Sequence, residues 1–257
     1  MLNYIRAEVY KLARRKYTWI FLGVMLALES LLVAAWVYTN FMGNNVDFYT
    51  GAIIVTSLLP MGFYAALLTS DIVFSEQYKH NTLKNEVSFG VPRHRIYLGK
   101  LLVQLGLSVV MCAVMIGYYL LLCALFLYPS APESLEMLPQ ILGYCLLTAL
   151  PLWVGVLACT CAFRFLIRSD LWASIASACI FGVLPVVLDL ARALFSTTGA
   201  YPVLQFLYQH MPTTIVDNAP SIVGDWAYCG QAWIVGAIWL AVFTAFGISG
   251  FRKKEIQ

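Results

Sequence analysis

Long apolar runs separated by short polar segments dominate the sequence from one end to the other. A helix needs about 20 residues to cross a hydrocarbon layer of about 30 Å, and six runs reach that length. Their continuity predicts helices, because barrel strands would alternate polar and apolar residues. The predicted spans are residues 17–38, 52–74, 98–128, 138–163, 171–194 and 231–250. The pattern therefore predicts an all-α integral membrane protein with six transmembrane helices.

Composition supports the same class. Hydrophobic residues make up 61% of the 257 residues and charged residues only 11%, whereas a soluble domain carries about 25% charged residues. The first apolar run lacks a small-residue cleavage site and is longer than the apolar core of a signal peptide, so we interpret it as a retained span. No internal repeat or soluble domain stands out, and we interpret residues 1–257 as one transmembrane domain.

Lys and Arg cluster in alternate connections between the predicted spans. Fifteen of the 16 lie in the N-terminal segment, the segment after the second span, the turn after the fourth span and the C-terminal tail. The positive-inside rule assigns these four segments to the cytoplasm. Both termini are then cytoplasmic, as an even number of spans requires, and the expected location is a bacterial plasma membrane.

The N-terminal segment 1–16 has the spacing of an amphipathic helix. Ile5, Val9 and Leu12, with Leu2, form an apolar stripe beside several basic residues. A basic amphipathic helix next to a span is typical of a helix in the headgroup layer, and we expect an elbow helix here. A basic flank that only sets topology is the alternative, and the two readings are compatible.

The polar stretch SEQYKHNTLKNEVS, residues 75–88, interrupts two apolar spans on the predicted cytoplasmic side. Asn81 or Thr82 suits a helix N-cap, and Gly90 suits its end. About four residues would suffice to join two spans, yet more than twenty are present and several of them are apolar. We therefore expect a short helix in segment 75–97 that contacts a cytoplasmic partner. A solvated loop is the alternative.

The segment 195–230 on the opposite side is also too long and too apolar for a simple connection. Residues 201–212, YPVLQFLYQHMP, suit an interfacial or re-entrant helix. A lid over the outer mouth and a plain interfacial anchor remain open as its role.

Besides Lys100 at the start of the third span, four charged residues fall within the predicted spans. Glu29 lies near the middle of the first span, where a charge is costly, so it should face other helices or a wet cavity. It is either a substrate-path or proton-linked residue, or a protonated structural one. Asp189 and Arg192 are spaced to meet on one helix face, and local charge neutralisation is the simpler interpretation. Asp71 is near the cytoplasmic end of its span.

Catalytic motifs are weak throughout the sequence. Gly99 and Lys100 lack the upstream glycine of a phosphate-binding loop, so ATP binding of that kind is not expected on this chain. Three histidines divide between the two faces, and the cysteines lack the spacing of a zinc site. We expect no catalytic residue, metal or cofactor on this chain, and no nucleic-acid partner.

Three stretches together resemble the six-span permeases of type-2 ATP-binding-cassette exporters. They are AEVYKLARRKYTW (7–19), SEQYKHNTLKNEVSFGVPRHRIYLGKLL (75–102) and FRKKEI (251–256). The resemblance implies an elbow helix that includes Ile5, Glu8, Val9, Lys11, Leu12, Arg14 and Arg15. It also implies a coupling helix whose contacts with a separate ATPase include Glu76, Lys79, Asn81, Thr82, Leu83, Lys84, Asn85 and Phe89. Arg93 and Lys100 match further positions of the pattern.

Partners follow from the same resemblance. It implies two copies of an ATPase subunit, which bind ATP and Mg²⁺, and a second permease that is identical or homologous. Similar permeases serve in immunity to antimicrobial peptides such as lantibiotics, so export of an amphipathic or lipophilic substrate is the expected function. An ion-coupled carrier or a membrane-embedded enzyme using Glu29, Asp71 and Asp189 is the competing interpretation. A purely structural subunit is a third.

Overall fold

The computed structural model describes residues 2–74 and 86–254. These residues form α-helices joined by short turns, which confirms the predicted all-α membrane fold. In chain order the helices are α1 (Leu2–Arg14), α2 (Lys16–Phe41), α3 (Phe48–Leu58), α4 (Met61–Phe74), α5 (Arg93–Phe126), α6 (Pro132–Leu166), α7 (Asp170–Ala178), α8 (Leu184–Leu194), α9 (Tyr201–Gln209), α10 (Pro212–Asn218) and α11 (Trp226–Lys253).

Five helical segments in the described part of the chain are long and apolar enough to cross a membrane. They are Lys16–Phe41, Arg93–Phe126, Pro132–Leu166, Asp170–Leu194 and Trp226–Lys253. The second predicted span, 52–74, is not one straight helix, because α3 and α4 meet at an angle of 62°. Pro60 lies at the break, where its ring and missing N–H interrupt the helical hydrogen bonds. The fifth span is also irregular, since a π-helical turn, Cys179–Val183, joins α7 to α8.

Helix α6 is the centre of the bundle, with more than half of its apolar stretch buried. It packs closely against α11 because glycines face each other at the contact. A Cβ atom on Gly236 would lie 2.4 Å from the carbonyl oxygen of Pro151, and one on Gly155 would lie 2.8 Å from Trp239. Small residues allow this kind of close approach between membrane helices.

Polar contacts gather at the two ends of the bundle. We call one the basic end, formed by residues 2–16, 86–100, 164–170 and 251–254. At the other end, the Phe48 N–H donates to the Tyr128 carbonyl at 2.8 Å, and the Tyr144 hydroxyl donates to the Asp225 carbonyl at 2.8 Å. The alternation of basic and non-basic connections predicted this separation.

The segment after the fifth span folds into two short helices. α9 leaves no residue buried, whereas α10 buries Ile215 and Val216 completely against the bundle. Arg192 ties α9 to α8: it pairs with Asp189, donates to Gln205 at 3.1 Å and lies 4.5 Å from the centre of the Tyr208 ring. The predicted contact between Asp189 and Arg192 is therefore present, and Arg192 also reaches the next helix.

Candidate functional site at the basic end

The basic end brings together parts of the chain that are far apart in sequence. Arg15 donates to the carbonyl of Ile72 at 2.7 Å, which ties the start of α2 to the end of α4. Lys254 donates to the carbonyl of Phe165 at 2.9 Å, which ties the end of α11 to the end of α6. Basic side chains thus cap the last carbonyls of neighbouring helices, where the helix dipole also favours positive charge.

A set of five side chains at this end, which we call the Glu8 network, links α1, α5 and the chain just before α5. Lys100 Nζ lies 3.0 Å from Glu8 Oε2, and Lys11 Nζ lies 2.6 Å from Glu8 Oε1. Lys11 Nζ is also 3.8 Å from Glu86 Oε1, and the Tyr4 hydroxyl donates to Glu86 Oε2 at 2.9 Å. Glu86 therefore joins the end of segment 75–88 to the N-terminal helix.

Glu8 and Lys100 form a buried ion pair. The Lys100 side chain is 1% exposed and the Glu8 side chain 6% exposed, so neither charge is stabilised by bulk water. Burial by itself would raise the pKa of the Glu8 carboxyl, but the nearby Lys100 and Lys11 outweigh it and hold that pKa below its usual value. Glu8 is thus held as a carboxylate.

Tyr4 packs closely against Gly99 of α5. A Cβ atom on Gly99 would lie 2.6 Å from the Tyr4 ring, so glycine is needed where α1 crosses α5. Burial, followed by the neighbouring Glu86 and Glu8 carboxylates, raises the pKa of the Tyr4 phenol and keeps it a hydrogen-bond donor. Tyr4 also lines a cavity of about 270 Å³ together with Gly90, Val91, Pro92 and Arg95.

Arg93 connects the same region to the end of α11. It donates to the carbonyls of Phe251, Arg252 and Lys254 at 2.7 to 2.9 Å, and its guanidinium lies 5.7 Å from the centre of the Phe251 ring. The Nη1 group of one guanidinium is thereby shared among carbonyls that the helix end leaves unpaired.

Arg164 performs a similar role at the end of α6. It is 3% exposed and pairs with Asp71 at 3.1 Å and with Asp170 at 3.3 Å. It also donates to the Ser174 hydroxyl at 2.7 Å. The span residue Asp71 is therefore part of an ion-pair cluster at the basic end, which joins α4, α6 and α7.

The predicted coupling residues lie mostly outside the described residues. This holds for Glu76, Lys79, Asn81, Thr82, Leu83, Lys84 and Asn85. Phe89 is described and is 86% exposed, directly after the helical residues 86–88. The role of this set stays a prediction.

The predicted apolar stripe of the elbow helix is only partly buried. Leu12 is buried, but Val9 is 50% and Leu2 is 65% exposed, and the face that packs against α5 carries Tyr4 and Glu8 instead. A charged residue occupies that face because Lys100 neutralises it there. The expectation that the apolar stripe of Leu2, Ile5, Val9 and Leu12 lies in the headgroup layer stays a prediction. Arg14 is exposed and lies 4.7 Å from the centre of the Tyr10 ring.

Sequence reasoning missed the contributions of Tyr4 and Glu86, and missed that Glu8 and Lys100 meet. One signal was available in the sequence. Lys100 directly precedes the run LLVQLGL (101–107), whose only polar residue is Gln104, and a lysine next to so apolar a run requires a partner. Within the described ranges, no three His, Cys, Asp or Glu residues are grouped as a metal site would require.

Comparison with known proteins is informative at the level of family. The family model described as "ABC-2 family transporter protein" matches residues 4–223. No curated protein matches the chain. The matched range includes the Glu8 network and every span before α11.

Proposed function

The chain belongs to the ABC-2 transporter family, and from that premise we propose that it exports an amphipathic or lipophilic substrate by using ATP hydrolysis on a separate chain. Family membership makes it a membrane permease subunit of an ABC transporter, and such a subunit works with an ATP-binding partner. Export, the substrate class and the composition of the complex are the proposed parts.

The observation that carries the proposal is the link from Glu86 to α1 and α5. Glu86 contacts Tyr4 and Lys11, and Lys11 shares Glu8 with Lys100. A displacement of the segment before Glu86 by an ATPase would therefore reach the first helix through Tyr4 and Lys11, and a transmembrane helix through the buried pair of Glu8 and Lys100. That buried pair resists separation, because leaving a buried charge without its partner is costly.

The surface beside this network suits a partner's side chain. Phe89 is exposed next to the cavity lined by Gly90, Val91 and Arg95. An exposed aromatic beside a cavity at a polar end is typical of a protein contact. We assign residues 75–90 as the surface that an ATPase binds.

The complete proposal is a pair of permeases, identical or homologous, with two ATPase copies in a bacterial plasma membrane, both termini of this chain being cytoplasmic. Switching between two packings of the spans would then move substrate outward. Antimicrobial peptides, whose export would protect the producing cell, fit the proposed substrate class.

The test is co-purification from gently solubilised membranes, with the partner identified by mass spectrometry and ATP hydrolysis measured in the purified complex. Wild type is compared with a Leu83→Asp/Lys84→Asp double variant and with Phe89→Asp. Phe41→Asp is the matched control, because Phe41 is 87% exposed at the opposite end of α2. We expect loss of an ATP-hydrolysing partner in the first two variants and its retention in the control. If wild type retains no such partner, or all variants retain it equally, the proposed surface is wrong.

A further inference from the structure

Glu29 occupies the centre of the first span and lies on its inward face. It is the fourteenth residue of the 26-residue helix α2. The residues one turn away on the same stripe, Leu26 and Val33, are partly or fully buried, whereas Leu28 and Leu31 are 55% and 66% exposed. The carboxylate therefore points toward the bundle and not toward the lipid that surrounds α2.

The Glu29 carboxylate has no protein cation beside it within the described residues. Its Oε2 atom is buried and receives no hydrogen bond there. The ion pairs formed by Lys11, Lys100, Arg164 and Arg192 lie toward the ends of the bundle. A carboxylate at mid-membrane depth without a partner is costly and marks a functional position.

The residue after Glu29 takes part in a hydroxyl contact between α2 and α5. Ser30 and Tyr118 share a hydrogen bond of 2.8 Å, which joins α2 to α5 beside Glu29. At the next residue of α5, the Tyr119 hydroxyl donates to the carbonyl of Gly51 at 2.9 Å and so joins α5 to α3. Trp36 lies on the same stripe of α2, two turns further along.

We propose that Glu29 binds the cationic headgroup of the transported amphiphile, an organic ammonium group attached to an apolar body. This inference rests on the proposed function and specifies its substrate class. The carboxylate supplies the counter-charge, the ring of Tyr118, whose hydroxyl bonds to Ser30, supplies aromatic surface that favours cations, and the apolar faces of α2 and α5 accept the hydrocarbon part. A metal ion would need several oxygen ligands, whereas one carboxylate suffices for an ammonium group.

The test is direct binding to the full-length protein in lipid nanodiscs, with empty nanodiscs subtracted. The probes are radiolabelled dodecylamine, which is cationic at pH 7, and dodecanol, which has the same chain and no charge. Variants are Glu29→Gln, Glu29→Asp and the control Glu133→Gln, which removes one negative charge at the first turn of α6. We expect Glu29→Gln to weaken dodecylamine binding about tenfold or more. Dodecanol binding should change less than twofold.

The conservative variant and the control separate binding from folding. Glu29→Asp should retain more dodecylamine affinity than Glu29→Gln, and Glu133→Gln should match wild type with both probes. Unchanged dodecylamine binding in Glu29→Gln, or an equal loss of both probes, overturns the inference. The co-purification experiment tests the proposed function separately. If wild type retains an ATPase but wild type and Glu29→Gln bind dodecylamine equally, only the headgroup site is refuted.

Discussion

Lys100 Nζ lies 3.0 Å from Glu8 Oε2, and both side chains are almost completely buried although 92 residues separate them in sequence. The pair joins the N-terminal helix α1 to the transmembrane helix α5. The Lys100 ammonium also lies 5.9 Å from the centre of the Phe74 ring, at the end of α4. Helices α1, α4 and α5 therefore meet at one lysine.

Replacing Lys100 with Met should destabilise the protein by about 3 kcal/mol, because a buried carboxylate would lose its most buried partner. The free energy of unfolding is measured by titration with sodium dodecyl sulfate in mild detergent. Lys16→Met is the control, since Lys16 is exposed, and we expect a change within about 0.5 kcal/mol. The Glu8→Gln/Lys100→Met double variant should lose less free energy of unfolding than the two single variants lose together. If the two losses simply add, Glu8 and Lys100 do not interact directly.

Acidification should remove the contribution of Glu8 to the free energy of unfolding. Its folded-state pKa is depressed, so its stabilising effect is present above the unfolded-state value of about 4.3 and is lost as pH falls through the folded-state value. We expect wild type to exceed Glu8→Gln in Tm at pH 7 and the difference to shrink steadily below pH 4.3. A difference that stays constant from pH 7 to pH 3 would argue against a charged Glu8.

Arg93→Ala should loosen the end of α11, because three carbonyls would lose their shared guanidinium donor. Trypsin cleaves after Arg252 and Lys253, so loss of a C-terminal epitope reports how often this end opens. We expect faster cleavage in Arg93→Ala than in wild type. Arg95→Ala, which removes an exposed neighbouring arginine, should cleave at the wild-type rate. Equal rates in both variants would mean that Arg93 does not hold the end of α11.

Gly236→Ala should cost about 3 kcal/mol, because the new methyl group would lie 2.4 Å from the Pro151 carbonyl oxygen and force α6 and α11 apart. Gly230 provides a control on the same helix, since a Cβ atom there meets nothing within 4 Å. Gly230→Ala should be neutral or stabilise by up to about 1 kcal/mol through helix propensity. The Tm of each variant is measured in detergent. Similar Tm values for Gly236→Ala and Gly230→Ala would show that the contact between α6 and α11 accepts the extra methyl group without strain.

Apolar runs predicted where the chain crosses a membrane, because the length and continuity of such runs depend on local sequence alone. The helix pair α3–α4 shows the limit of this reasoning. Pro60 was visible, but its effect on a span depends on the helices that cover the break. Here the indole N–H of Trp153 donates to the carbonyl of Leu59 at 3.2 Å, from a helix more than ninety residues away. Such compensation lets a membrane helix bend by 62°.

The candidate site shows the same division. The motif resemblance pointed to Glu8 and Lys100 separately. Which face of α1 packs inward depends on the partner side chains it meets, and Lys100 offers a buried charge that Glu8 neutralises. The role of residues 75–85 remains a prediction from sequence.

The sequence by itself determined the membrane class, the number of apolar spans and the separation of a basic end from its opposite, because burial in lipid and charge placement follow from composition along the chain. Tertiary structure alone decided that Glu8 meets Lys100, that Arg93 closes the end of α11, and that Glu29 lies on the inward face of α2. These outcomes depend on distances between side chains that are remote in sequence, and only the packing of helices brings those side chains within range of hydrogen bonds and charge pairing.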